Sequence, residues 1–220
     1  RDELESLGKF KNVDVVMTGS AQPMGNIAQP MKPEKVNHII AVASGKGGVG
    51  KSTVAANIAC SFSQKGYKVG LLDLDIYGPS LPIILGINES PQLTQDKKLI
   101  PLDWNGLKVL SFGFISGNDS PAIWRGPLVA RMTEQFFRDV SWGELDFLIL
   151  DLPPGTGDIQ LTLTQKIQIS GAVIVTTPQD IALSDVRKGA DMFRKVNTPV
   201  LGVVENMSGL TLRGTIYDPE

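Results

Sequence analysis

The chain reads as short apolar runs separated by stretches with helical spacing. The runs are Ile39-Ile40-Ala41-Val42-Ala43, Lys68-Val69-Gly70-Leu71-Leu72-Asp73, Asp146-Phe147-Leu148-Ile149-Leu150-Asp151, Ala172-Val173-Ile174-Val175-Thr176-Thr177 and Val200-Leu201-Gly202-Val203-Val204. The last three lack polar alternation, as parallel strands buried on both faces do. Between the runs, Val54, Ala55, Ile58, Ala59 and Phe62 recur at helical spacing, with Gly66 placed as a C-cap. Leu128, Val129, Met132, Phe136, Phe137 and Val140 predict a second amphipathic helix from Arg125. Ile181, Val186, Ala190, Phe193 and Val196 predict a third. Gly78-Pro79-Ser80-Leu81-Pro82 reads as a loop leading into one helical turn, and Leu99 to Phe112 as two short strands around Asn105-Gly106, a hairpin signal. Strands alternating with helices imply right-handed crossovers. The expected fold class is therefore α/β, a mainly parallel twisted sheet flanked by helices.

Two stretches fall outside this rhythm. Residues 1–19 hold a charged helix end, Asp2 to Leu7, and a strand, Val13 to Met17, too little to bury a core alone. They read as the remnant of a small preceding α+β domain. Residues 20–37 carry Pro23, Gly25, Pro30 and Pro33 without periodicity, which is linker composition. The main domain is expected over 38–220. Because the chain opens on Arg1 and stops soon after a strand, it reads as a fragment or a processed product, incomplete at its C-terminal side.

The polar residues of interest cluster where strands end. Gly45-Lys46-Gly47-Gly48-Val49-Gly50-Lys51-Ser52-Thr53 follows the first strand and opens the first helix, the context in which Gly-x-x-x-x-Gly-Lys-Ser is a phosphate-binding loop. Its glycines let the backbone N–H groups of Gly45 to Thr53 wrap around phosphate oxygens at a helix N-terminus. Lys51 is placed to reach the outer phosphates, and the Ser52 hydroxyl to ligate Mg²⁺. Asp73 and Asp75 follow the second strand, on one side of it by their spacing. Asp151 ends a buried strand as a second metal carboxylate, and Glu205-Asn206 follows the last. In an open parallel sheet these ends converge on one edge, where ligands bind. A phosphate loop ringed by carboxylates suits ATP hydrolysis with Mg²⁺. The segment Asp151-Leu152-Pro153-Pro154-Gly155-Thr156-Gly157-Asp158 is apt to rearrange when a terminal phosphate leaves.

Composition narrows the classes. Hydrophobic residues make up 42% and charged residues 20%, ordinary for a soluble domain. A net charge of −2 leaves no electrostatic footprint for nucleic acid or an anionic membrane, so neither is expected as a partner. No apolar run is long enough to span a bilayer. The single cysteine, Cys60, rules out an internal disulfide and cannot build a metal site by itself; it reads as a small buried hydrophobe. A reducing, cytoplasmic setting is expected. The lone His38 reads as a surface residue at the lip of its strand.

Lys46 adds a sharper clue, since an ordinary phosphate loop does not require lysine directly after its first glycine. Lys46-Gly47-Gly48-Val49-Gly50-Lys51-Ser52 resembles the deviant Walker A motif of the MinD/ParA group of P-loop ATPases. That resemblance implies that Lys46 reaches the nucleotide of a facing subunit and couples ATP binding to homodimer formation. Further blocks narrow it: Leu72-Asp73-Leu74-Asp75-Ile76-Tyr77-Gly78-Pro79-Ser80, Ile123-Trp124-Arg125-Gly126-Pro127, Trp142-Gly143-Glu144-Leu145-Asp146, the Asp151–Asp158 segment, Thr177-Pro178-Gln179 and Val204-Glu205-Asn206-Met207-Ser208. In this order they resemble the Mrp-type ATPases, the iron–sulfur carriers or scaffolds of that group. The resemblance implies Lys46, Lys51 and Asp75 as catalytic residues, with Asp75 orienting the attacking water. It also implies Asp73 near the metal held by Ser52 and Asp151, and Asn206 against adenine. It extends to slow ATP turnover, a bridging 4Fe–4S cluster and apo iron–sulfur proteins as recipients. One departure stands out: many such carriers have Cys-x-x-Cys after the Asn-Met-Ser block, whereas residues 209–220 contain no cysteine. The alternatives are a MinD/ParA-like positioning switch without a cluster and a small-molecule kinase built on the same loop.

Overall fold

A computed structural model describes residues 30–116, 126–212 and 215–217. The expected N-terminal remnant, most of the linker and the Ile123-Trp124-Arg125 block lie outside the described residues. Strands β1 (Val36–Ala43), β2 (Val69–Asp73), β3 (Gln92–Leu93), β4 (Leu99–Ile100), β5 (Leu102–Trp104), β6 (Leu107–Ser111), β7 (Leu145–Asp151), β8 (Gly171–Thr176), β9 (Val200–Glu205), β10 (Leu210–Leu212) and β11 (Thr215–Tyr217) follow in order. The helices are α1 (Lys51–Gln64), α2 (Leu81–Leu85), α3 (Gly113–Ser116), α4 (Gly126–Arg138), α5 (Asp158–Lys166) and α6 (Asp180–Lys195). Seven strands form one sheet in the order β5-β6-β2-β7-β1-β8-β9. All neighbours in it pair parallel except β5 with β6.

The pleat sorts the apolar runs into two layers. Ile39 and Ala41 of β1 and Leu148 and Leu150 of β7 face a core shared with Phe136 of α4, Leu163 of α5 and Phe193 of α6. Ile40 and Val42 of β1 and Ile149 of β7 face the opposite core, against Ala55, Ala56 and Ala59 of α1. Small side chains let α1 lie close to the sheet, which brings its N-terminus to the strand ends. Full burial of each phenylalanine contributes roughly 1.5–3 kcal/mol.

α1 ends in a Schellman motif. Gly66, at φ 89°, donates its N–H to Ser63 O at 2.9 Å, and Tyr67 donates to Phe62 O at 3.2 Å. The Phe62 and Tyr67 rings then meet edge to face at 6.2 Å. The hairpin of β5 and β6 turns through Asn105 (φ 51°) and Gly106 (φ 83°), both left-handed as a type I′ turn requires.

Four features differ from the sequence expectation. β1 begins at Val36, and Met31 exchanges backbone hydrogen bonds with Lys166 (2.7 Å) and Gln168 (2.9 Å), so the end of the expected linker belongs to the domain. Leu99–Ile100 pairs with Gln92–Leu93 rather than continuing into the hairpin, because Pro101 lacks an N–H for the ladder. α5, α3 and the β10–β11 hairpin were not expected. Finally, β9 is an edge strand, with Leu201 58% and Val203 51% exposed, and is not buried on both faces. Apolar content marks a strand; it does not fix the strand's place in the order. His38 is exposed and stacks on Phe147. No helix among the described residues is long and apolar enough to cross a membrane.

Candidate functional site

The loop between β1 and α1 runs over the carboxyl ends of the sheet. Gly48 (φ 80°) and Gly50 (φ 84°) hold left-handed backbone that side chains resist. Val49 is buried and anchors the loop in the core. Ser44 Oγ donates to Lys46 O at 2.8 Å, and Ser44 O accepts the Gly155 N–H at 2.9 Å, tying the loop to the segment after β7. A Cβ on Gly45 would lie 2.2 Å from Asp185 Cβ, so glycine is what lets α6 approach. Gly47 has open space on that side. A cleft of about 280 Å³ is lined by Gly47, Gly48, Lys51, Ser52, Asp75 and Pro154, among others.

Lys51 is buried within this cleft, its ammonium 2.5 Å from Asp151 Oδ1 and 4.0 Å from Asp75 Oδ2. Asp151 and Asp73 are fully buried, and Asp75 is nearly so. Burial pushes the Asp151 carboxyl up, against the Lys51 charge and the Ser52 hydroxyl, with Asp75 adding to the rise. Asp73 is raised to about 7 by burial and then by Asp151, opposed by the Asp75 N–H, Lys51 and Ser111. Burial is the larger cause of both shifts; neighbouring carboxylates add to it, and further positive charge would relieve them.

The donor set fits a hard divalent cation completed by phosphate and water. Asp151 Oδ2 is buried and has no hydrogen-bond partner, while Ser52 offers a hydroxyl beside the same carboxylate. Among the described residues, no group of three or more His, Cys, Asp or Glu side chains could hold a metal unaided. Asp73 is differently engaged from Asp151: its Oδ1 accepts from the Asp75 N–H (2.9 Å), and its Oδ2 accepts from Ser111 Oγ (3.0 Å) and the Leu81 N–H (3.4 Å). Asp75 lies beyond the end of β2, not on it, yet turns its carboxylate toward Lys51 while accepting from the Gly78 N–H at 3.3 Å.

Asn206 donates its amide to Val49 O at 2.9 Å, and its backbone N–H pairs with Thr176 O. Beside it, Thr53, Val54, Asn57, Ile58 and Phe62 line a second hollow of about 380 Å³. Lys46 is half-buried at the loop's outer turn and forms no ion pair among the described residues. Cys60 is partly buried on α1, and burial pushes its thiol up.

Sequence reasoning missed Ser111, Gln160 and Asp185. Ser111 carries the signal that revealed the aspartates, a polar residue closing an apolar run. Gln160 is buried on α5 and donates to Pro153 O at 3.3 Å. Asp185 gives no local signal at all.

The NUBPL iron-transfer P-loop NTPases of the ParA group match residues 35–216. The chain belongs to this family. An iron–sulfur cluster carrier protein of Aquifex aeolicus is 57% identical over 186 residues, covering 82% of this chain and 51% of that protein. The iron–sulfur cluster transfer protein NUBPL of Mus musculus is 52% identical, covering 80% and 56%. The chain thus spans about half the length of these relatives. Among solved structures, a nucleotide-binding protein of Archaeoglobus fulgidus in complex with ADP aligns with a TM-score of 0.74 and 41% identity, over 84% of this chain and 73% of that one. The septum site-determining protein MinD of Pyrococcus horikoshii, complexed with Mg-ADP, aligns with a TM-score of 0.56 at 22% identity, over 77% and 70%, and shares the fold. The matched range, 35–216, includes the Gly45–Thr53 loop.

Proposed function

We propose that this chain is the ATP-binding and hydrolysing part of an iron–sulfur cluster carrier, working as a nucleotide-dependent homodimer that delivers a 4Fe–4S cluster to apo-proteins in the cytoplasm. The observation that carries the ATPase reading is the buried cluster of Lys51, Asp75 and Asp151, with Asp151 Oδ2 unpaired, beneath the phosphate loop. The relatives named as carriers, at 50% identity and more, supply the cargo.

In this reading the backbone N–H groups of residues 45–50, with Lys46, Lys51 and Thr53, receive the phosphates. Lys51 exchanges its contact with Asp151 for phosphate oxygen, which releases a carboxylate beside Ser52. Ser52 and Asp151 would hold Mg²⁺, which when bound neutralises phosphate charge. Asp75 accepts a hydrogen bond from the attacking water, and Lys46 reaches the partner copy's phosphates. Asn206, beside the hollow on α1, turns its amide to adenine. The cluster is cargo. Four thiolates hold such a cluster, and two copies of this chain offer only two Cys60 thiols. Its ligands are therefore not all supplied by these residues.

Two measurements test the parts separately. Lys51→Ala should abolish ATP binding or turnover; a variant that hydrolyses like the parent overturns the site assignment. Anaerobic reconstitution of a complete relative carrying this domain, followed by cluster transfer to an apo-acceptor, tests the cargo. Absence of any cluster there would leave the ATPase standing and remove the carrier.

A further inference from the structure

Ser111, Asp73 and Asp151 are lateral neighbours in the parallel ladder at the carboxyl ends of β6, β2 and β7. All three are fully buried, yet their hydrogen bonding differs. Asp151 keeps one oxygen without a partner. Asp73 has both oxygens engaged by protein donors: the Asp75 N–H on one, and the Ser111 hydroxyl and Leu81 N–H on the other. Ser111 Oγ donates to Asp73 Oδ2 and in turn accepts the Gly113 N–H at 3.0 Å, so the serine is itself held in place.

These bonds fasten the loop that carries Asp75. Its start is tied at the Asp75 N–H and its end at the Leu81 N–H, both to one carboxylate. Asp75 then curls onto the Gly78 N–H, which aims its second oxygen at Lys51. Protein donors take three of the roughly four acceptor sites on Asp73, whereas none is taken on Asp151 Oδ2.

We propose that Ser111 and Asp73 form a buried positioning pair that sets the placement of Asp75 for hydrolysis, leaving the metal to Ser52 and Asp151. The proposal rests on the ATPase reading above and reassigns Asp73 from a metal role to an orienting one. Ser111 is a positioning residue that acts through Asp73.

Three variants of the full chain test it: Ser111→Ala, Asp73→Asn and, for contrast, Asp151→Asn. Hydrogen exchange at the Asp75 and Leu81 amides should speed up about tenfold or more in the first two, as a charge-assisted bond is lost or weakened. Exchange at Leu148 and Ile149 in the central strand should stay unchanged. In turnover, kcat should fall about tenfold with KM for ATP and half-saturating Mg²⁺ within about twofold. Asp151→Asn should instead raise half-saturating Mg²⁺. Should Ser111→Ala fail to fold, Asp73→Asn, of the same shape, carries the test. A rise in half-saturating Mg²⁺ for Asp73→Asn equal to that for Asp151→Asn overturns the proposal, and so does unchanged exchange at Asp75 and Leu81. A parent chain without any ATP turnover would instead defeat the ATPase reading, while the exchange readout still decides how the loop is held.

Discussion

Lys51 is shared by Asp151 and Asp75 while Asp73 is held by amides and a hydroxyl, so neighbouring carboxylates with similar burial do different work. Lys46 stands apart from this group, half-buried on the outer turn of the loop. If it serves a facing copy, Lys46→Ala should bind one nucleotide per monomer as the parent does, yet fail to dimerise with ATP. Light scattering with and without ATP, paired with turnover, checks this; normal hydrolysis by that variant would remove the trans role. Gly45 gives a second test. A methyl there collides with Asp185 Cβ, part of helix α6 and unable to swing away, so Gly45→Ala should cost about 1–3 kcal/mol in urea unfolding. Gly47→Ala, with open space, should cost far less. Asp73 and Asp151 stand out in the sequence because each closes an apolar run. Ser111 gives the same signal but carries no charge, and the approach of Asp185 to Gly45 crosses 140 residues, which no local pattern encodes.

At the scale of elements, the parallel strands were legible as continuous apolar runs and the three long helices from their 3.6-residue period. α5 was not, because its nine residues follow a Pro-Gly block and make only about two and a half turns. Its place is set by tertiary bonds: Gln160 to Pro153 O at its start, and Lys166 to Glu134 of α4 at its end. Strand order was likewise hidden, and β9 shows the consequence. It presents Leu201 and Val203 to solvent on an edge paired only on the β8 side among the described residues. Such an edge invites self-association. Val203→Lys in the 220-residue chain should therefore raise the concentration at which aggregates form, with little change in melting temperature, because an exposed side chain contributes little burial. Equal aggregation by the variant would show that the edge is not the sticky surface.

For the molecule as a whole, the uncompensated carboxylates tie stability to pH. Asp73 moves from the ordinary value of 3.8 to about 7 on folding, and Asp151 shifts in the same direction. A carboxyl with a raised folded pKa binds its proton more tightly folded than unfolded. Its stabilising contribution is complete below the unfolded value, declines as pH climbs, and is gone once pH passes the folded value. The chain without nucleotide should thus lose stability between about pH 4 and pH 7, by up to ~1.4 kcal/mol per pH unit for the one proton of Asp73. The exposed pair of Lys68 and Glu144, whose carboxyl is lowered, works the opposite way only at more acid pH. Urea midpoints from pH 5 to 8 measure the slope. Asp73→Asn removes the titrating group and should flatten it, since its amide has no proton to lose in that range. A slope that survives the substitution would assign the proton to Asp151, the other buried carboxylate beside Lys51 with a raised pKa.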